Sequence, residues 1–209
     1  MQDYETASYF YNRCLDISVE HKYLEGEARA YQGLGKAEEN VLNKDQAMRH
    51  LETSLEKADA DPNLIKLVKE ISANLVRVYM QIATEHQEAT NFGEALSYFE
   101  KCLDVAKKAQ NEDIEAECYQ RIGLIYHELG QFDEAIEHTN KFLNLSEASR
   151  QKLNTDDPNN ANKRRIDEQR IIAYKQLAET YVTNPAFISH AIVNLRKVID
   201  VAKENDSKQ

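Results

Sequence analysis

Any chemistry in this chain would have to come from its histidines, its cysteines or its paired acids. His21, His50, His86, His127, His138 and His190 are scattered along the sequence. None has a second His or Cys three or four residues away, the spacing that sets two metal ligands on one helix face. Neither a metal nor a cofactor is therefore expected. Cys14, Cys102 and Cys118 form no CxxC and lie far apart, which fits reduced thiols and a cytoplasmic setting. Cys14 and Cys102 fall at small-residue positions of helices and read as buried structural thiols. Glu38-Glu39 and Asp156-Asp157 are adjacent acids in a chain with 36 acidic residues, so they read as exposed charge and not as acid–base pairs. Gly33-Leu34-Gly35 lies inside a helical pattern, with Gly35 read as a packing position and Gly33 as exposed helix. No P-loop, HExxH or GxSxG is present in the sequence. These absences point away from an enzyme.

The elements explain what the residues do instead. Only 6 Gly and 3 Pro occur in 209 residues, too few breakers for a β-rich fold of this size. Apolar residues recur at 3-and-4 spacing, which is helical. The pattern predicts an all-α chain of about nine helices, near 3–20, 24–41, 44–60, 63–89, 92–110, 113–129, 132–153, 162–183 and 187–204. No run approaches the roughly 18 apolar residues of a membrane span, and no basic-then-apolar leader opens the chain. The net charge of −10 repels phosphate backbones and anionic lipid, so neither nucleic acid nor membrane is an expected partner.

The same spacing returns along the chain. Ala7, Tyr11, Cys14 and Leu15 are matched by Ala95, Phe99, Cys102 and Leu103, and weaker copies start at Ala47, Ala135 and Ala191. These anchor alanines lie 40, 48, 40 and 56 residues apart. Ahead of them runs a second pattern: Tyr31, Leu34 and Gly35; Leu75, Val76 and Tyr79; Tyr119, Ile122, Gly123 and Tyr126; Tyr174, Leu177, Ala178 and Tyr181. Small residues at fixed positions let two helices approach closely. Two insertions interrupt the repeat. One is placed between Tyr79 and Thr90 as seven residues that lengthen a helix; its extra turns around Met80 to Glu88 are expected to project past the neighbouring repeats, either as a docking element, which deletion of Met80–His86 would test, or as a lengthened helix with no partner. The other is the polar loop Asn154–Asn160, followed by Lys163-Arg164-Arg165, read as a solvated helix start.

These residues resemble the tetratricopeptide repeat, in which a large-x-x-Leu-Gly-x-x-Tyr helix precedes an Ala-x-x-x-Phe-x-x-Ala helix. The best copy is Tyr119, Ile122, Gly123, Tyr126, Gly130, Phe132 and Ala135; Leu42 and Thr90 depart from it at the turn glycine. The resemblance implies helix-turn-helix repeats stacked as a right-handed superhelical solenoid. Residues 1–209 would form a single array that opens on the second helix of a repeat and belongs to a longer one. Within the family, Cys14–Ser18 followed by Leu24–Ala28 is similar to an axonemal branch of motile cilia linked to dynein arms and intraflagellar transport. Cargo or polarity adaptors of the kinesin light chain and Leu-Gly-Asn-repeat kind, and a regulatory segment of a larger enzyme, are the alternatives.

In such repeats the first helices line the groove that holds a partner protein. Counting from the Leu-Gly frame, the expected peptide-binding residues are Arg29, Gln32, Lys36, Asn74, Arg77, Gln81, Gln120, Arg121, His127, Lys175 and Gln176. Lys36, Arg77, Arg121 and Lys175 face only Glu179 in the central stripe, so the groove is expected to suit acidic segments of other proteins.

Overall fold

The computed structural model describes residues 2–40, 43–153 and 160–206, and those residues carry nine α-helices and no strand. They are α1 (Gln2–Glu20), α2 (Leu24–Asn40), α3 (Lys44–Asp59), α4 (Ile65–Glu88), α5 (Phe92–Lys108), α6 (Glu112–Glu128), α7 (Phe132–Lys152), α8 (Ala161–Val182) and α9 (Ile188–Asp206). Short 3₁₀ turns at Pro62–Leu64 and Pro185–Phe187 lead into α4 and α9. The expected helix ends hold to within two residues. Leu42 and most of the Asn154–Asn160 loop, with Asp156 and Asp157, lie outside the described residues. The chain divides into two compact units, Met1–Asn111 and Glu112–Gln209.

Helix ends are set by local chemistry. Asn43 and Asn160 accept the backbone N–H of Gln46 and Lys163 as N-caps of α3 and α8. Each 3₁₀ turn starts on an Asx residue that accepts an N–H two residues on, Asp61 from Asn63 and Asn184 from Ala186, with a proline between. Helices α1, α4, α5 and α6 end alike, on a residue at positive φ: Lys22 (53°), Thr90 (59°), Gln110 (56°) and Gly130 (73°). The N–H of the following residue then reaches back across the last turn, as Asn91 to His86 O at 2.8 Å and Gln131 to Tyr126 O at 2.9 Å. Thr90 thus holds the left-handed conformation that glycine holds in the best copy.

In the first unit α1 packs on α2, α2 on α3, α3 on α4 and α4 on α5. Leu51, Ile71, Leu75, Val78 and Phe99 are almost wholly buried. Gly35 is a close approach: a Cβ there would lie 2.7 Å from Leu51. Gly33 is not exposed helix as expected. It is buried beneath Tyr11, whose ring would stand 2.2 Å from an added Cβ. In the second unit α6 packs on α7, α7 on α8 and α8 on α9, around Phe142, Ala173, Tyr174, Leu177 and Val201.

Three further expectations are corrected. Cys14 is exposed and is no buried structural thiol, because its side of α1 opens on solvent. Lys163 is no solvated helix start: it is 2% exposed, with its ammonium 3.2 Å from Asp167, which is 0% exposed. Arg150 and Arg170 approach the same carboxylate at 3.6 and 3.0 Å, so the start of α8 is held by an internal ion cluster. Glu38 of the Glu38-Glu39 pair is buried and accepts the Tyr4 hydroxyl at 2.5 Å.

Candidate protein-binding face

The repeat frame on α4 decides which side chains share the face of the first helices. Lys101, six residues after Ala95, stands 5.9 Å over the Tyr79 ring. Lys141, six after Ala135, stands 5.6 Å over Tyr119, and Lys197, six after Ala191, 5.0 Å over Tyr174. Tyr79 is therefore the counterpart of Tyr119 and not of Tyr126. The stacked rings agree. His138 of α7 lies against Tyr119 and Tyr126 at 5.8 and 5.3 Å, and Tyr98 of α5 lies against Tyr79 and His86 at 6.2 and 5.8 Å. So the α4 frame is Tyr79, Ile82, Ala83 and His86, one heptad later than Leu75, Val76 and Tyr79. In this frame the tyrosine precedes the anchor alanine by 16 residues in three hairpins and by 17 in the last.

The first insertion therefore lies ahead of Tyr79. It supplies the 3₁₀ turn and the extra N-terminal turns of α4, which has 24 residues where α2 and α6 have 17. Met80–His86 is no projecting element. Ile82 and Ala83 are buried, Glu85 meets Lys44, and His86 stacks on Tyr98. A heptad slip preserves an apolar stripe, which is why periodicity alone did not expose it.

On the first-unit face, Arg29 is tied to Glu25 one turn back at 2.9 Å. Gln32 is buried, while Lys36 is exposed. Asn74 sits outside the corrected frame and donates to Glu70 O at 3.0 Å. Arg77 donates to Glu39 at 2.7 Å, joining α4 to α2. Burial pushes the Glu39 carboxyl up, and the charges of Arg77 and Lys36 pull it back in part. Gln81 is exposed. The frame adds Met80 and Thr84, the counterparts of Gln32 and Lys36, which the sequence reading missed. The constant distance to the anchor alanine was the signal that would have found them.

On the second-unit face, Gln176 is buried and spans two first helices. Its amide donates to Gln120 O at 3.3 Å, over Gly123, where a Cβ would lie 3.0 Å from the amide nitrogen. His127 Nδ1 lies 3.1 Å from the Thr180 hydroxyl, and that hydroxyl donates to Gln176 O. The hydroxyl has one proton, so Nδ1 is the donor to it. Arg121 is half-buried and Lys175 exposed, and neither has an ion-pair partner among the described residues. The face thus brings Arg121 and Lys175 to the surface, while Gln120, Gln176 and His127 close the seam beneath them. The tyrosines are packing groups as well: Tyr79 donates to Glu52 at 2.6 Å, and burial first, then that carboxylate, raises its pKa. Burial and the bond to Glu147 push Tyr174 up to about 12.

A tetratricopeptide-repeat family profile matches residues 74–148. Residues 74–148 belong to the tetratricopeptide-repeat family. The tetratricopeptide hairpins are α2–α3, α4–α5, α6–α7 and α8–α9. The chain is 27% identical over 154 residues to tetratricopeptide repeat protein 29 of Trypanosoma brucei brucei, covering 71% of this chain and 30% of that protein. It therefore spans about a third of the length of that curated relative. Among solved structures, the apo form of RapI matches with a TM-score of 0.55 and 16% identity over 98% of this chain and 50% of that one. A signal-transduction ATPase with a tetratricopeptide repeat sensor, from Pyrococcus horikoshii, matches with a TM-score of 0.52 and 15% identity over 95% of this chain and 30% of that one. This chain shares their fold. Among the described residues, no group of three or more His, Cys, Asp or Glu could hold a metal, and no helix is long and apolar enough to cross a membrane.

Proposed function

We propose that this chain is a protein-interaction scaffold in which the first-helix face of the second unit takes an acidic segment of a partner, with Arg121 and Lys175 as its principal cations. One observation carries the reading: these two cations stand without ion-pair partners among the described residues, in a chain of net charge −10. Arg77 and Arg29 lie in the first unit, are already neutralised by Glu39 and Glu25, and are no part of this site. At finer grain the role is ciliary, in an axonemal assembly with dynein-arm or intraflagellar-transport components. The similarity to tetratricopeptide repeat protein 29 supports that placement. The face is read as a binding surface: the Thr180 hydroxyl beside His127 is buried and donates to Gln176 O, which makes that pair a packing contact of the seam.

A labelled glutamate-rich peptide tests the face by fluorescence anisotropy. Binding that weakens with salt is expected, and the Arg121→Glu, Lys175→Glu double variant should lose about tenfold or more in affinity. Equal binding by the folded double variant would remove this face as the site. Tagged protein found only in the cell body of a ciliated cell would remove the ciliary role.

A further inference from the structure

The turn from α8 to α9 is built differently from the turn from α6 to α7. Between α6 and α7 the chain bends on Gly130 at positive φ, and Phe132 opens α7. Between α8 and α9 it passes through Asn184, which accepts the Ala186 N–H, and the 3₁₀ turn Pro185–Phe187. Ile188 stands where Phe132 stands, each three residues before its anchor alanine. Phe187 is therefore an added aromatic, carried on the one extra residue of the last hairpin. Neither ring is buried in a core: Phe132 is 37% exposed and Phe187 43%.

These two turns border one cavity of about 360 Å³. Three aromatic residues line it, Phe132, Tyr181 and Phe187, together with the carboxylates Asp133 and Glu134 of the first turn of α7. No lysine or arginine is among its lining residues. The rings are held by their neighbours. Tyr181 packs on Phe187 at 6.0 Å, His190 lies against both at 5.3 and 5.7 Å, and His127 meets Phe132 edge-on at 5.7 Å. Both acids are exposed, and neither has an ion-pair partner among the described residues.

Aromatic faces are negative and attract cations, and nearby carboxylates add to that attraction. A bare ammonium gives up three water hydrogen bonds to enter such a cavity. An ammonium that carries methyl groups keeps its full charge, gives up fewer, and packs its methyls on the rings. We propose that the cavity binds a methylated lysine side chain of a partner protein, with its methylammonium against Phe132, Tyr181 and Phe187 and its charge offset by Asp133 and Glu134. The cation chemistry stands on the cavity alone. The choice of a protein as its source rests on the scaffold reading, since His127 of the first-helix face packs on Phe132 and so joins the cavity to that face.

The probe is a short glycine–serine peptide with one trimethyl-lysine and blocked ends, titrated with the 209-residue chain. It carries no acid, so its result is independent of the acidic-segment reading. The readout is its N-methyl proton resonance, which aromatic faces shift upfield. A saturable upfield shift is expected. Phe187→Ala should weaken binding about tenfold, and Asp133→Asn with Glu134→Gln, which keeps the side-chain shapes on an exposed turn, about threefold or more. No shift at millimolar protein, or full affinity in the folded carboxylate variant, overturns the proposal. So does equal binding of the peptide with a tert-butyl group in place of trimethylammonium, which would make the cavity merely apolar. Equal binding of the unmodified lysine peptide overturns the methyl preference, and equal binding of free choline overturns the partner protein as the source.

Discussion

Lys101 rides 5.9 Å above the Tyr79 ring, as Lys141 rides above Tyr119. That one relation sets the register of α4. It makes Ala83 the counterpart of Gly123, and both are buried where two helices come closest. A Cβ on Gly123 would already stand 2.7 Å from the Thr139 hydroxyl. Gly123→Leu and Ala83→Leu should each cost about 1–3 kcal/mol by overpacking. Urea unfolding measures both. A near-neutral Ala83→Leu would return the frame to Val76. Deleting Met80–His86 should abolish the cooperative transition of the first unit.

Thr90 carries φ of 59° in a turn where the best repeat has Gly130 at 73°. A β-branched residue is strained in that region, and glycine is not. Thr90→Gly should raise stability by about 0.5–1 kcal/mol despite glycine's larger unfolded-state entropy. Gly130→Thr should lower stability. A loss of stability in Thr90→Gly would mean that the turn draws on the threonine side chain.

His50 stacks on Tyr31 at 6.1 Å, and burial lowers its pKa below the ordinary histidine value, against a smaller upward pull from Glu38. The unfolded chain therefore takes the proton first. The stability that neutral His50 supports is fully present above about pH 6.5 and is lost as the pH falls below it. Unfolding midpoints measured from pH 8 to 5 should fall, and His50→Phe, which keeps the stacked ring, should flatten that part of the slope. An unchanged slope would assign the pH dependence to other groups.

Asp167 is 0% exposed and faces Lys163, Arg150 and Arg170. Removing that carboxylate takes the shared counter-charge from Lys163, Arg150 and Arg170, of which Arg170 keeps Glu204 at 4.0 Å. Asp167→Asn should cost about 3–5 kcal/mol, the scale of breaking a buried ion pair from one side. Replacing Lys163 and Asp167 together by Met and Leu should cost much less, since buried pairs yield to apolar packing. A double variant as unstable as the single one would show that the cluster specifies the α7–α8 packing.

The helices, their ends and the family were legible along the chain, because each depends on neighbours within a few residues. A helix needs only its apolar period and its caps, and the alanine anchors at Ala7, Ala47, Ala95, Ala135 and Ala191 mark the repeat without any tertiary information. What α4 does with its extra residues is different in kind. A seven-residue slip turns a helix almost twice round and leaves its apolar stripe in place, so Leu75 and Ile82 serve equally well in a one-dimensional pattern. Lys101 over Tyr79 separated the two frames, and that pair exists only once α5 has folded back on α4. The same holds for burial of charge and exposure of apolar groups. Lys163 reads as a solvent residue until α7 and α8 surround it with Asp167 and Arg150. Cys14 reads as a core thiol, like Cys102, until its side of α1 is seen to meet solvent. Sequence period sets which side of a helix is apolar; only the assembled neighbours decide whether that side meets protein or water, because burial is a property of the pair and not of the residue.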